Sequence, residues 1–489
     1  MRIHSAAHIH PLMHKALFLL LVCLAGCTFG PDHETPDMCL PCHFEEGPEK
    51  TSCMDLAIWW KQFEDPTLDA FIDEALTCNY DLQIALHKIE EVRGLYRIDR
   101  SKLYPQIEGN MVAIRARRSK NLTSDIIEST AAPTEIFATD FSGPLIQNFF
   151  QIGFDASWEL DFFGKLRKQA QAAYRDFEAS QENALNVQIS LLSDVARSYI
   201  DIRSLQQQID AKKSQIARQR DLLDLAETRY LAGLTSYLDV TRAKAGLDAQ
   251  ESTLPPLEED LKVTIHGLAI FLGKPPENFC VGEGYIPIAA GRIPHDLPSD
   301  LLCRRPDIRQ AERELAAATS RIGVAIAELF PSFSLTGSFG TQANMLDQVF
   351  IWPSRFWTIG PTMVWNLFTG GRLIAQIKVA NERQRQAILA YEKSIIDALK
   401  DVEDRLVGYF KEGQRLESLE EQLSTNSLKR DLSFDQYISG LISLDDVLDA
   451  EKELFQTQED MLQSQGTQMI QLVGLYKALG GGWECLESP

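Results

Sequence analysis

The sequence predicts an α+β membrane protein, internally duplicated, with four β-strands and several very long helices in each chain. Three observations carry this. One offset of 207 residues holds over about 115 residues, with Trp158, Leu160, Gly164 and Leu166 falling on Trp365, Leu367, Gly371 and Leu373, and a second offset of 226 sets Asp81, Ala85, Leu103 and Pro105 on Asp307, Ala311, Leu329 and Pro331. Stretches of about ten residues alternate apolar and polar with aromatic ends, the pattern of outer-membrane barrel strands. Residues 165–232 contain neither Gly nor Pro, enough for a helix of about 100 Å.

The chain has 489 residues. Arg2 and Lys15 precede the apolar run Ala16 to Ala25, which is too short for a permanent membrane helix and has the length of a signal-peptide core. It ends in Leu24-Ala25-Gly26-Cys27, which has the form of a bacterial lipobox. Residues 1–26 are read as a lipoprotein signal, Cys27 as the lipid anchor and 27–65 as the lipidated tail. A start at Met13 would leave this unchanged. No later stretch holds 18 consecutive apolar residues, so no further transmembrane helix is expected. Cys39 to His43 matches the C-x-x-C-H haem spacing, but its Pro- and Glu-rich surroundings offer no haem pocket, and no cofactor is expected. Cys39, Cys42 and Cys53 can pair in an oxidising compartment or stay thiols; the sequence leaves both open.

The first repeat, 66–273, begins with a helix at 66–103, stopped by Tyr104-Pro105. A strand at 105–118 follows, ending in Arg115, Arg117 and Arg118, and then an external loop at 119–149. The strand at 150–162 sets Phe150, Ile152, Phe154, Ala156, Trp158, Leu160 and Phe162 against Gln151, Asp155, Ser157, Glu159 and Asp161. Helices at 165–232 and 241–272 complete the repeat, the latter with a kink expected at Pro255-Pro256. A linker, 274–304, leads to the second repeat, 305–480. Its helices are placed at 305–329, 372–437 and 446–479, its strands at 332–342 and 356–368, its external loop at 343–355, and a tail at 481–489.

Four strands cannot close a barrel, and an open edge in lipid leaves backbone groups unsatisfied. The strands must come from several chains. Two chains give eight, which side chains would fill; three give twelve, with room for a passage, so a trimer is favoured.

Between the long helices the chain repeats itself. "YLAGLTSYLDVTRA" at 230–243 and "YISGLISLDDVLDA" at 437–450 share Tyr, Gly, Leu, Ser, Asp, Val and Ala. Both read as tips of helical hairpins. Tyr230 and Tyr437 close the last turn, and Gly233 and Gly440 occupy a left-handed C-terminal cap. Ser236 and Ser443 cap the returning helix, with Asp239 and Asp446 as capping-box acids.

The net charge is −21, or −23 once residues 1–26 are removed, which disfavours a nucleic-acid binder. The five histidines after Cys27 show no metal-ligand spacing, and no nucleophile elbow, P-loop or dinucleotide fingerprint is present, so no enzyme is expected.

The segments "CTFGPDHETP", "WWKQFEDPTLDAFIDEALTCNYDLQIA" and "LPSDLLCRRPDIRQAERELAAATSRIGVAIAELFPSFSLTG", with the two tips, resemble the outer-membrane efflux protein family, in its lipoprotein branch. The resemblance covers about residues 27–483. It implies a homotrimer whose twelve-stranded outer-membrane barrel continues into a long periplasmic α-helical barrel. It further implies an exit duct for drugs or other small molecules, docked to a periplasmic adaptor and an inner-membrane transporter of the RND or ABC type. It places a periplasmic aperture at the tips, with Asp239, Asp446, Asp449 and Asp445 as its acids. Gly233, Leu234, Ser236, Gly440, Leu441 and Ser443 would meet the adaptor. Some relatives carry a basic residue just past the second tip glycine; Ile442 stands here, so a salt-bridge lock at that point is not expected. Alternatives are an outer-membrane component of type I protein secretion and a non-conducting coiled-coil envelope protein.

Overall fold

The computed structural model describes residues 28–36, 38, 41, 44, 56–117, 146–289, 301 and 304–483. The signal segment 1–26, Cys27, Cys39, Cys42, Cys53 and most of the expected external loop 119–149 lie outside the described residues. The chain divides into two compact units, one formed from 1–34, 92–176 and 315–386, the other from 35–91, 177–314 and 387–489.

The first unit holds a four-stranded antiparallel sheet in the order β1 (Gln106–Arg117), β2 (Ile146–Leu160), β3 (Ser332–Ala343), β4 (Arg355–Val364). The two repeats meet at β2 and β3, where Phe154 stands opposite Phe339 and Trp158 opposite Leu335. One face carries the rows Ile107–Ala156–Gly337–Ile359 and Gly109–Phe154–Phe339–Trp357. The other carries Glu108–Asp155–Ser338–Thr358. Ile107, Met111, Phe154, Phe339, Trp357, Ile359 and Met363 are exposed. A water-soluble sheet would cover such a face; here lipid is the matching solvent. Among the described residues, β1 and β4 have no second neighbour.

The duplication reappears in the hydrogen bonds. The Trp158 indole N–H donates to Leu103 O at 2.9 Å, and its twin Trp365 donates to Leu329 O at 3.1 Å. The strand expected at 356–368 ends instead at Val364. Val364 pairs with Ser332, the first residue of β3, so residues 365–368 have no ladder to join. At the other end β2 begins at Ile146, because Arg117 offers it a partner.

The helix expected at 66–103 is two helices, α1 (Pro66–Cys78) and α2 (Tyr80–Ser101). Asn79 breaks them with an extended backbone, φ −66° and ψ 129°. Its side chain accepts from Leu82 N at 2.9 Å and donates to Phe271 O at 2.9 Å, so one residue caps α2 and ties it to the end of the first hairpin. Asp65 caps α1, accepting from Thr67 N at 2.8 Å.

Among the described residues the remaining α-helices are α3 (Lys165–Leu231), α4 (Tyr237–Phe271), α5 (Pro306–Ala327), α6 (Arg372–Ile438) and α7 (Leu444–Ala478). α4 stays helical through Pro255 and Pro256. α3 and α6, of 67 residues each, contribute to both units. In the second unit Leu192, Val195, Tyr199 and Ile202 of α3 pack with Leu268 of α4, with Leu272 just beyond its end, and with Leu472, Leu475 and Tyr476 of α7. Leu56, Trp59, Trp60 and Phe63, assigned from sequence to the tail, are buried in that core as a 3₁₀ segment, Trp59 stacked on Tyr476 at 5.2 Å. Two tryptophans and a phenylalanine in eight residues carry too much apolar area to stay in water.

Candidate functional site

Both hairpin tips belong to the second unit, and they are built alike from twin residues. α3 and α6 end in the same C-terminal motif. Gly233 N donates to Tyr230 O (2.9 Å) and Leu234 N to Arg229 O (2.8 Å). Gly440 N donates to Tyr437 O (3.0 Å) and Leu441 N to Gln436 O (2.9 Å). The pattern needs a left-handed residue, and Gly233 (φ 71°) and Gly440 (φ 75°) supply it without a Cβ. α4 and α7 then start on Ser236 and Ser443 in capping boxes. Asp239 Oδ2 accepts from Ser236 N at 3.4 Å and from the Thr235 hydroxyl; Asp446 Oδ2 accepts from Ser443 N at 3.0 Å and from its hydroxyl at 2.7 Å.

The two tips rest on one apolar cluster. Leu222 and Ala226 of α3, Val240 and Ala243 of α4, Tyr437 of α6, and Leu444 and Val447 of α7 are all buried in it. Helical spacing of three and four directs these residues to one side and leaves Asp445, Asp446 and Asp449 exposed on the other.

The twin tyrosines do different work. Tyr437 is 5% exposed and Tyr230 43%. Arg229 Nη1 donates to Tyr437 O at 3.2 Å, and its guanidinium lies over the Tyr437 ring, 4.5 Å from the centroid. Burial pushes the Tyr437 hydroxyl pKa up, with Arg229 opposing and Asp239 reinforcing the shift. Tyr230 instead packs on Tyr237 at 5.4 Å.

The acids also differ. The Ser443 hydroxyl and backbone N–H hold the Asp446 carboxyl below its usual range. Asp445 pairs with Arg242 of the other hairpin, Oδ2 to Nη1, at 3.1 Å. No ion pair forms at Asp449 among the described residues. Leu231, Leu234, Tyr237 and Leu441 stand exposed around the tips.

Beneath the tips, Glu451 of α7 is buried. Its carboxylate lies 3.7 Å from Arg430 of α6, and one oxygen has no hydrogen-bond partner. Burial raises its pKa, while Arg430 and Arg218 of α3 pull it down and Asp431 pushes it up.

Three of these features escape the sequence: the Arg242–Asp445 pair, Arg229 on Tyr437, and buried Glu451. A signal for the first exists in the repeat. Arg242 and Asp445 are charged departures from the twin positions, which hold Asp449 and Leu238. The sequence comparison sets Arg242 beside Asp449; the structure joins it to Asp445.

The model of the family "Outer membrane efflux protein" matches residues 71–274 and 297–481. The chain is 32% identical over 475 residues to the solvent efflux pump outer membrane protein SrpC of Pseudomonas putida, covering 96% of this chain and 97% of that one. It is 30% identical over 470 residues to the probable outer membrane lipoprotein SilC of Salmonella typhimurium, covering 94% and 96%. Among solved structures it resembles the outer-membrane channel OprN with a TM-score of 0.84 and 30% identity, over 94% of this chain and all of that chain.

Proposed function

The chain belongs to the outer membrane efflux protein family, and from that premise we propose how this particular sheet and these particular tips make an outer-membrane exit duct. One observation carries the reading: an antiparallel sheet with an aromatic exposed face and two edge strands that have no second neighbour among the described residues. Lipid satisfies the face, and further copies of the chain satisfy the edges. Joining β4 of each copy to β1 of the next keeps every neighbour antiparallel. Three copies give twelve strands and a lumen lined by the rows holding Glu108, Asp155, Ser338 and Thr358.

The tips form the periplasmic aperture. Asp446 and Asp449 from each copy place at least six carboxylates in one constriction, a ring that attracts cations and repels anions. Asp449 is the purer channel residue, since Asp446 also caps α7. The Arg242–Asp445 pair, with Arg229 on Tyr437, holds the two hairpins of one chain together and so restrains opening. Gly233, Leu234, Ser236, Gly440, Leu441 and Ser443, ringed by exposed Leu231 and Tyr237, meet the adaptor of a tripartite pump. Cys27 is the acylated residue of the mature chain.

Planar-bilayer recording of the purified protein tests the duct. The reading expects small, stable conductance steps from a crosslinkable trimer. A trimer without conductance would instead describe a structural rod.

A further inference from the structure

The outward face of the sheet changes character at its external end. Along β1 its residues are Ile107, Gly109, Met111 and Ala113, then Arg115 and Arg117. The side is fixed by the ladder: Met111 stands opposite Ile152, Ala113 opposite Phe150, Arg115 opposite Asn148 and Arg117 opposite Ile146. Both arginines are exposed, and no ion pair joins either to a described residue. At about 3.4 Å per residue they lie roughly 7 and 14 Å beyond Ala113 along the strand. β4 begins at the same end of the sheet with exposed Arg355, whose Nε donates to Trp352 O at 2.9 Å. Arg355 pairs with Thr341, which puts it on this same outward face.

An arginine on the lipid side of a barrel is strongly disfavoured at the midplane and tolerated at the interface. These cations therefore mark the level where hydrocarbon gives way to headgroups. Acids on that face would serve solubility equally well, yet the outward positions of β1 end in two guanidiniums and no acid. Guanidinium presents paired N–H donors in the geometry of phosphate oxygens.

We propose that Arg115 and Arg117 form a rim site for the phosphate-bearing headgroups of the outer leaflet, a glycolipid phosphate docked edge-on against β1. The site rests on the barrel reading above, since barrel closure sets Arg355 of the partner subunit on the adjoining strand. The ligand is a membrane lipid, held by its phosphates outside and by its acyl chains against Met111, Phe150 and Phe154. Each cation near an anionic surface contributes about fivefold in affinity, so the pair contributes about 25-fold.

The test uses the assembled full-length protein in phosphatidylcholine nanodiscs, titrated with diphosphoryl lipid A and read by native mass spectrometry. Wild type should retain lipid A about 25-fold more tightly than Arg115→Gln/Arg117→Gln, and Arg115→Lys/Arg117→Lys should keep most of the preference. The single changes, each about fivefold, carry the test if the double variant assembles poorly. Equal retention by wild type and the Gln variants would overturn the proposal. So would full displacement of lipid A by millimolar inorganic phosphate, which would indicate a free-anion site. Trimer mass and conductance measured on the same samples separate this failure from failure of the barrel itself.

Discussion

Arg242 Nη1 lies 3.1 Å from Asp445 Oδ2, linking the second turn of α4 to the first turn of α7 and so the two hairpin tips of one chain. The side chains are 41% and 53% exposed, so solvent weakens the pair and its contribution is at most about 1 kcal/mol. Breaking it shifts a closed–open equilibrium by at most about fivefold. Arg242→Ala and Asp445→Ala should each raise the open probability of the reconstituted channel within that range. The exchanged pair Arg242→Asp/Asp445→Arg should return it toward wild type. Single changes that leave gating untouched would remove this pair from the restraint.

The tip glycines offer a local test. A Cβ at Gly233 or Gly440 meets nothing within 4 Å, so only the positive φ opposes one. Alanine at either position should cost about 1 kcal/mol at that helix end. Hydrogen exchange at residues 231–236 for Gly233→Ala, or 438–443 for Gly440→Ala, should accelerate about fivefold while the other tip stays unchanged. Acceleration in both tips from one substitution would mean that they open as a single body.

Glu451 predicts a pH dependence. Its folded pKa is raised, chiefly by burial, so the protonated form suits the folded hairpin. The stability this supplies is full below the unfolded glutamate pKa and is lost as pH rises through the folded one. Glu451→Gln, a neutral mimic, should therefore be more stable than wild type at pH 7, with the two thermal unfolding curves converging as pH falls toward the ordinary glutamate range. Parallel curves across that interval would show that Arg430 and Arg218 compensate the buried charge in full.

Much of this architecture is legible in the sequence, for physical reasons that can be named. Strand alternation has period two, and aromatic residues declare the lipid side, so the face containing Phe154, Phe339 and Trp357 can be read directly. The long helices declare themselves by apolar residues recurring at three and four, and α3 also by lacking Gly and Pro throughout. Their ends are visible because Gly233, Ser236 and Asp239, and their twins, have few other reasons to stand in that order. Asn79 hides the break between α1 and α2, because its effect depends on Phe271 O, 192 residues away. Trp59 hides likewise, since its partner is Tyr476. The link from Arg242 to Asp445 depends on how the two hairpins pack, which periodicity within one helix does not encode.

If the tips form an acidic aperture in a conducting trimer, as proposed, reversal potentials under a salt gradient should report it, with wild type compared with Asp446→Asn/Asp449→Asn in planar bilayers. The expected result is cation selectivity in wild type and a marked loss of it, with altered conductance, in the double variant. Unchanged selectivity and conductance in a correctly assembled trimer would contradict it.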